Sequence, residues 1–153
     1  MSKYHSDKVY VICLDTEDEK AFSTKAAALS YCLTNDIDSE IAVFDSKKEY
    51  RRWGTLKEAE QRCAIMNLQR QVPYQLVPAQ YEEILIIGKR KTKTKKKRVE
   101  APVMYKADFQ YNLPDGELIV EDVKSKATRK LPEYIIKRKL MLSVYGIKLK
   151  EIL

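Results

Sequence analysis

The 153-residue chain contains a single histidine and three cysteines, and both shortages exclude kinds of chemistry. His5 lies in a polar N-terminal segment, so a site built on a histidine general base is excluded. Cys13, Cys32 and Cys63 are widely spaced, odd in number and unaccompanied by histidine. Neither a zinc site nor a disulfide framework is therefore expected, and a reducing cytoplasm fits this cysteine usage.

The sequence also lacks a long apolar run. No segment approaches the roughly 18 apolar residues of a membrane-spanning helix, and the residues that follow Met1 do not form the apolar core of a signal peptide. With 44% hydrophobic and 33% charged residues, the composition is that of a soluble globular protein of one domain. We therefore expect a cytoplasmic protein that has no membrane partner.

Positive charge is in excess but unevenly distributed. Eight of the ten residues from Lys89 to Arg98 are basic and none is acidic, so this segment alone exceeds the net charge of +7. It is interpreted as a mobile loop that contacts DNA phosphates, and a merely solvated linker is the alternative. A late basic helix is expected to assist it. The residues predicted to bind nucleic acid are Lys89, Arg90, Lys91, Lys93, Lys95, Lys96, Lys97, Arg98, Lys137 and Arg138.

Hydrophobic periodicity and turn signals predict that strands and helices alternate. The expected elements are a strand at 8–14, an acidic turn at 15–20, a helix at about 24–33, a strand at 41–44, a long helix at about 46–66, a strand-like segment at 71–87 divided near Pro78, a hairpin at 104–124, a helix at about 132–144 and a strand at 147–152. This order favours a mixed α/β layer over an all-β fold.

The hairpin is the most informative segment. Its two strands are rich in β-branched and aromatic residues and are separated by Pro114-Asp115-Gly116, which suits a three-residue loop. That loop places Leu113 opposite Glu117 and, in the same register, Asp108 opposite Asp122. Facing residues lie roughly 4.5–5.5 Å apart at Cβ, where like charges destabilise a sheet. Folding alone gives no reason for such a pair, whereas a divalent cation with oxygen ligands does.

Lys124 and Glu49 are the further candidates for this site. Lys124 follows Asp122 by two residues and therefore points to the same face of its strand. Glu49 belongs to a capping box, Ser46-x-x-Glu49, in which its carboxylate would bind the N–H of Ser46. A third carboxylate from a helix is also what a metal between two strand aspartates would lack, so the two roles of Glu49 compete.

A structural alternative exists for the two aspartates. In the predicted register Lys106 faces Lys124, so ion pairs of Asp108 with Lys124 and of Asp122 with Lys106 would form a charge lattice on an exposed sheet face. Glu121 points to the opposite face and is left out of the candidate metal site.

The order of these residues resembles that of the PD-(D/E)XK nuclease superfamily: Glu49 on a helix, Asp108 on a strand, and Asp122-x-Lys124 on the facing strand. Further segments are similar to a family of phage and prophage proteins placed in that superfamily, namely 44–53, 74–78, 105–109, 120–124 and 134–140. Phage junction-resolving endonucleases share the same pattern. One departure is Ala107, which stands where the superfamily has a proline.

The resemblance implies a restriction-endonuclease-like fold, a mixed β-sheet flanked by helices, over residues 43–153. Residues 1–42 would be an N-terminal β-α extension packed on that core. It also implies a phage-type, metal-dependent DNA endonuclease that hydrolyses phosphodiester bonds in a bacterial host during recombination or replication. The DNA structure that it would cut is left open, with structure-specific cleavage among the alternatives.

The resemblance further assigns roles to the candidate residues. Asp108, Asp122, the carbonyl of Val123 and Glu49 would hold Mg²⁺ or Mn²⁺. Lys124 would orient the attacking water or stabilise the pentavalent phosphate. The oligomeric state is open, with a homodimer among the alternatives. Two other functions also stay open: a non-catalytic nucleic-acid-binding protein, and an interaction protein built on an inactive nuclease fold.

Overall fold

A computed structural model describes residues 7–13, 18–87 and 91–153. These residues form three helices and nine strands arranged in three sheets, which confirms the mixed α/β class. They fall into two compact units, which divide between Cys63 and Ala64. The predicted division into 1–42 and 43–153 stays a prediction. No helix in the described ranges has the length and apolar character needed to cross a membrane.

The first unit is a three-stranded sheet with two helices. Its elements are β1 (Val9–Cys13), β2 (Glu19–Phe22), α1 (Lys25–Asn35), β3 (Ile41–Phe44) and α2 (Lys47–Gln61). The strand order is β2-β1-β3, and both pairings are antiparallel. Thr24 caps α1, because its hydroxyl accepts the N–H of Ala27. The core joins Val9, Val11 and Phe44, with Trp53 of α2 packed against it.

The second unit contains the hairpin and the late helix. Its elements are β4 (Met66–Val77), β5 (Gln80–Ile87), β6 (Thr92–Glu100), β7 (Val103–Asn112), β8 (Leu118–Val123), a 3-10 turn at Thr128–Lys130, α3 (Pro132–Tyr145) and β9 (Lys150–Ile152). Four strands form a sheet in the order β4-β7-β8-β9, in which only β8 and β9 run parallel, while β5 and β6 form a separate two-stranded sheet. The sheet that carries the candidate site is therefore mixed.

The β7–β8 hairpin confirms the predicted register. Leu113 donates its N–H to the carbonyl of Glu117 at 2.9 Å, which closes the three-residue loop. Gly116 takes φ +90°, a conformation that favours glycine, and Asp115 Oδ1 accepts the N–H of Glu117 at 3.0 Å. The ladder then runs from Asn112–Leu118 to Phe109–Glu121. This turn chemistry sets which side chains meet further along the hairpin.

Alternation along β7 builds the core of the second unit. Tyr105, Ala107, Phe109 and Tyr111 are all buried, whereas the residues between them are more exposed. Tyr105 and Ala107 belong to a core cluster that also contains Tyr134 and Met141 of α3, and further members from β4 and β8. The aromatic side chains of β7 therefore pack in the interior of the second unit.

Two predicted boundaries are wrong. The long helix ends at Gln61 rather than near Met66, because Cys63 adopts a left-handed φ of +55° and Met66 already pairs with Asn112 in β4. The end of the segment predicted as an acidic turn contributes to β2, since Glu19–Phe22 pairs with β1; residues 15–17 of that turn lie outside the described residues. In both places pairing within a sheet outweighs the local sequence signal.

The basic segment is also not the loop that was predicted. Residues 92–100 form β6, which pairs along its length with β5; residues 88–90, including Lys89 and Arg90, lie outside the described residues. The reason is cross-strand pairing. Lys97 faces Glu82, with an ion pair of 3.3 Å, and Lys96 faces Glu83. A charged sequence therefore forms a strand when the partner strand supplies opposite charges.

Candidate functional site

Asp108 lies where the β7–β8 ladder stops. The last paired residues are Phe109 and Glu121. Beyond them, the N–H of Val123 donates to Oδ2 of the Asp108 side chain at 2.7 Å. A carboxylate on β7 thus takes up a backbone donor of β8, which fixes the Asp108 side chain against the strand that carries Asp122.

The ammonium group of Lys124 lies close to both aspartates. Its Nζ lies 2.8 Å from Oδ1 of Asp122 and 3.9 Å from Oδ2 of Asp108. The Asp122 side chain is fully buried, while the side chains of Asp108 and Lys124 are 14% and 24% exposed. The structure therefore assembles three of the predicted catalytic residues at one end of the hairpin, with two negative charges against one positive charge.

The second carboxylate oxygen of Asp122 has an unmet hydrogen-bonding requirement. Among the described residues, Asp122 Oδ2 is buried without a hydrogen-bond partner, and so is the hydroxyl of Tyr105. Burial, and after it the negative charge of Asp122, raises the pKa of Tyr105, so this hydroxyl is neutral at physiological pH. A buried polar atom without a partner costs roughly 1–3 kcal/mol unless water or an ion satisfies it. Asp122 Oδ2 therefore has two alternative partners: the neighbouring Tyr105 hydroxyl, which interacts with this carboxylate, and a bound cation.

Tyr134 of α3 also interacts with the Asp122 carboxylate. The pKa of Tyr134 is raised, mainly by burial and to a smaller extent by the negative charges of Asp122 and Glu151. Its hydroxyl donates to Glu151 Oε1 at 3.1 Å, and its ring centre lies 5.5 Å from Lys124 Nζ. The sequence analysis did not identify Tyr105 or Tyr134 as site residues, because nothing in their spacing distinguishes a hydroxyl beside a carboxylate from an ordinary core tyrosine.

A cavity of about 420 Å³ adjoins the carboxylates. Tyr105, Tyr134 and Lys124 line it, together with Lys106 and Lys137. Lys137 is held by Glu133 at 2.9 Å one helical turn away, which also lowers the pKa of Glu133. Three lysines and one exposed glutamate line this cavity, so its surface is positively charged next to the negative aspartates. Such a surface suits an anionic ligand that carries a cation with it.

Arg138, predicted to bind DNA beside Lys137, takes part in a different group. Its Nη1 lies 2.7 Å from Glu151 Oε1, and Arg129 Nη2 lies 2.8 Å from Glu151 Oε2. Burial would raise the pKa of Glu151, but hydrogen bonds from Arg138 and Tyr134 and the charge of Arg129 outweigh it, so this pKa is lowered. Arg138 thus has a structural partner, whereas Lys137 lines the cavity beside the aspartates.

Glu121 faces away from the aspartates, as predicted. Its carboxylate accepts the hydroxyl of Tyr111 at 2.6 Å and lies 3.0 Å from Lys150 Nζ. The side chain is fully buried. Burial and this hydrogen bond raise the pKa of Tyr111. The charge of Glu121 is neutralised by Lys150 within this network. The network joins β7, β8 and β9 on the face opposite the candidate site.

Glu49 belongs to the first unit and caps α2. Its N–H donates to Ser46 Oγ at 3.1 Å, and its Oε2 accepts the N–H of Asp45 at 2.8 Å. The capping box therefore forms, with Asp45 rather than Ser46 as the backbone donor. Glu49 is 2% exposed. Its capping role is observed, and its role as a metal ligand stays a prediction.

The described residues contain no group of three or more His, Cys, Asp or Glu side chains that could hold a metal ion. Mg²⁺ typically uses one or two carboxylates and completes its octahedron with water and substrate phosphate. Asp108 and Asp122 supply two carboxylates, and their role as metal ligands stays a prediction. The carbonyl of Val123 stays a predicted further ligand.

The basic residues of β6 are accessible. Every one with a described side chain is exposed, namely Lys91 directly before the strand and Lys93, Lys95, Lys96, Lys97 and Arg98 within it. Lys89 and Arg90 lie outside the described residues.

The comparisons with known proteins place the chain in a family but assign it no activity. No curated protein and no solved structure matches it. A family model described as "Protein of unknown function (DUF1064)" matches residues 30–152, which cover the second unit almost completely, together with most of α1 and all of β3 and α2. The chain therefore belongs to the DUF1064 family.

Proposed function

We propose that this protein is a metal-dependent DNA endonuclease of the PD-(D/E)XK superfamily, of the phage type, that hydrolyses phosphodiester bonds. The observation that carries the proposal is the meeting of Asp108, Asp122 and Lys124 at the end of the β7–β8 ladder, with the buried Asp122 Oδ2 lacking a hydrogen-bond partner among the described residues. This is the order and grouping of residues by which the chain resembles that superfamily.

The residues at this position fit Mg²⁺ or Mn²⁺. Asp108 and Asp122 would hold the ion, with the carbonyl of Val123 as a further predicted ligand. The donor set is all oxygen, which suits a hard cation, and the buried Asp122 Oδ2 has the lone pairs for it. When bound, the metal would lower the pKa of a coordinated water and neutralise charge on the phosphate.

Lys124 supplies positive charge next to both carboxylates. With its Nζ within 4 Å of each of them, it is placed to orient an attacking water or to stabilise the negative charge that builds on the pentavalent phosphate. Lys106 and Lys137 line the adjoining cavity and would bind the flanking phosphates. The neutral Tyr105 hydroxyl beside Asp122 is a hydrogen-bond donor in the same pocket.

Affinity for DNA would come from outside this pocket. Five of the six residues from Lys93 to Arg98 in β6 are basic and exposed, and binding through them weakens as salt increases. Chemistry and affinity are thus assigned to separate parts of the same unit.

One observation favours a second candidate, a non-catalytic nucleic-acid-binding protein. Lys124 pairs with Asp122 at 2.8 Å, so part of the carboxylate charge is compensated without any metal. In that case the β6 basic residues act and the aspartates are structural.

Cleavage assays separate the two candidates. Branched, single-stranded and duplex DNA are incubated with the protein in Mg²⁺ or in EDTA, and products are resolved on denaturing gels. The proposal predicts cleavage in Mg²⁺ only, abolished by Asp108→Asn, which keeps an acceptor for the Val123 N–H. Asp115→Asn in the turn is the matched control and retains activity. Binding without cleavage of any substrate, under Mg²⁺ or Mn²⁺, would establish the second candidate instead.

A further inference from the structure

The β5–β6 ribbon stands apart from the main sheet of its unit. Within the described residues, neither strand pairs with a third strand. Ile84 alone among the described side chains of the two strands is partly buried, and all the others are exposed. A two-stranded ribbon is at best marginally stable in water by itself. Because both faces of this ribbon are exposed to solvent, we expect a partner surface to cover one of them.

Charge along the ribbon is compensated at one end only. Glu82 forms a 3.3 Å ion pair with Lys97, and Glu83 faces Lys96. Further along, the partners across the ladder are apolar: Lys95 faces Ile84, and Lys93 faces Ile86. Two lysines in that part of β6 therefore have no acid opposite them.

The same part of β5 exposes large apolar side chains. Leu85 is 70% exposed and Ile87 84%, and alternation puts both on the face opposite Lys93 and Lys95. Thr94, opposite Leu85, shares their face. One face of the ribbon is thus apolar and uncharged in this part, and the lysines project from the other face.

We propose that this ribbon enters the major groove of B-form duplex DNA. Leu85 and Ile87 would face the base edges, while Lys93 and Lys95 would reach the phosphates that line the groove. The inference rests on the proposed function and deepens it, since it names duplex DNA as the bound substrate.

The dimensions fit this partner. Strands in a sheet lie roughly 4.8 Å apart, and the major groove, about 12 Å wide, admits a two-stranded ribbon with its side chains. The nine residues of β6 span roughly 30 Å, the length of about nine base pairs. Apolar side chains in this groove contact the C5-methyl group of thymine.

Two other nucleic acids fit less well. Proteins that bind single strands stack the bases on aromatic side chains, and the described ribbon has a single aromatic, Tyr81. The major groove of A-form RNA is too narrow and deep for side chains to read. The lysines of β6 also disfavour a second copy of the chain as the occupant, because they oppose strand addition at that edge.

The test measures binding by fluorescence anisotropy of the full-length protein in EDTA, so that cleavage plays no part. The probes are a labelled duplex of about 20 base pairs, one of its single strands, and the same duplex with uracil in place of thymine. The variants are Lys93→Ser/Lys95→Ser and Leu85→Ser/Ile87→Ser. Lys20→Ser/Lys25→Ser, on exposed lysines of the first unit, is the control for equal charge removal.

The two variants are expected to weaken DNA binding in different ways. Loss of Lys93 and Lys95 weakens duplex binding and lowers the slope of log affinity against log salt by about 1.8, since each lost phosphate contact removes about 0.9. Loss of Leu85 and Ile87 weakens binding several-fold without changing the slope. The wild type binds the uracil duplex several-fold more weakly than the thymine duplex, and the Leu85/Ile87 variant does not discriminate. The control behaves as the wild type.

Three results would overturn the inference. Equal affinity of the wild type for thymine and uracil duplexes, together with an unaffected Leu85/Ile87 variant, would place the ribbon outside the groove. Single strands bound as tightly as the duplex, with the same dependence on Lys93 and Lys95, would make the ligand single-stranded. A Leu85/Ile87 variant that turns a dimer into a monomer in sedimentation, with unchanged DNA affinity, would make that face an interface between copies. Because no metal is present, none of these results depends on whether the protein cleaves DNA.

Discussion

At the scale of single residues, Lys124 decides how much negative charge the two aspartates present. Asp122 is fully buried, and a buried charge that loses its partner is strongly destabilising. Lys124 Nζ is close to both carboxylates, so it stabilises the metal-free protein and also lies within reach of a bound phosphate. The same contact thus contributes to folding and, under the proposed function, to chemistry.

Replacement of Lys124 by methionine is therefore expected to have opposite effects on folding and metal response. The metal-free protein loses about 2 kcal/mol of unfolding free energy, less than for a fully buried pair because Lys124 is partly exposed. Mg²⁺ raises the melting temperature of the variant more than that of the wild type, because the carboxylate repulsion is then uncompensated. Lys106→Met, on an exposed lysine of the same cavity, is the control. Equal responses to Mg²⁺ in variant and wild type would contradict the expectation.

Glu151 gives stability a pH dependence of known sign. Its pKa in the folded protein lies below the ordinary value of 4.5. A carboxyl with a lowered folded pKa stabilises the protein above its unfolded pKa, and that contribution is lost as pH falls through the folded pKa. Glu151→Gln should therefore unfold at lower urea concentration than the wild type at pH 7, and the difference should shrink as the pH falls below about 4.5.

The control for this experiment is Glu117→Gln, on an exposed glutamate of the hairpin. A difference between Glu151→Gln and the wild type that stays constant from pH 7 into the acid range would show that side-chain packing, and not charge, carries the effect.

At the scale of elements, the β7–β8 turn determines the site. Pro114-Asp115-Gly116 fixes a three-residue loop, the loop fixes the register, and the register brings Asp108 towards Asp122. A shift of one residue would move every following side chain to the other face of the sheet. The turn therefore controls the site from six residues away.

Gly116→Ala tests the contribution of this turn. Its φ of +90° strains any residue with a Cβ, although no atom lies within 4 Å of the added carbon, so the expected loss of stability is about 1 kcal/mol and purely conformational. Gly54→Ala in α2 is the matched control. There too the added carbon meets nothing within 4 Å, but helix propensity predicts stabilisation by up to about 1 kcal/mol. Urea unfolding of both variants gives the signs, and destabilisation by both would contradict this reading of the turn.

The hairpin could be predicted from the sequence because its signals are local. Turn residues, alternation and strand length all lie within twenty residues, and they gave the register, the Asp108–Asp122 meeting and the opposite orientation of Glu121. The β6 strand could not be predicted in the same way. Its stability depends on Glu82 and Glu83 across the ladder, and a run of lysines without that partner reads as a solvated loop.

Side-chain contacts that form only when the chain folds could not be predicted from the sequence either. The hydrogen bond of Val123 N–H to Asp108, and the two tyrosine hydroxyls near Asp122, depend on the angle at which β7, β8 and α3 meet. The capping box at Ser46 and Glu49 was recognisable because cap and box residue are three positions apart. The choice of Asp45 as the donor was not.

At the scale of the whole molecule, the proposed function assigns chemistry and DNA affinity to two different parts of the second unit. One end of the β7–β8 hairpin gathers carboxylates and a lysine, and the β5–β6 ribbon presents exposed lysines and apolar side chains. The match to DUF1064 extends over both features. An arrangement in which affinity and chemistry come from different elements allows each to be altered without the other.

Serine replacements of the basic residues in β6 test this division. They are expected to raise the DNA concentration needed for half-maximal cleavage while leaving turnover at saturating DNA nearly unchanged, because Asp108, Asp122 and Lys124 are untouched. Steady-state kinetics at fixed ionic strength give both quantities. A collapse of saturating turnover with retained affinity would instead place β6 in the transition state.

The central claim is that Asp108 and Asp122 together hold a divalent metal, and binding of Mn²⁺ tests it most directly. Electron paramagnetic resonance measures free Mn²⁺ in solution, so a titration of the protein gives the number of ions bound without any DNA. We predict one strongly bound ion per wild-type chain, lost in Asp108→Asn and in Asp122→Asn and retained in Asp115→Asn. Unchanged Mn²⁺ binding by all three variants would contradict the claim and leave the two aspartates as partners of Lys124 alone.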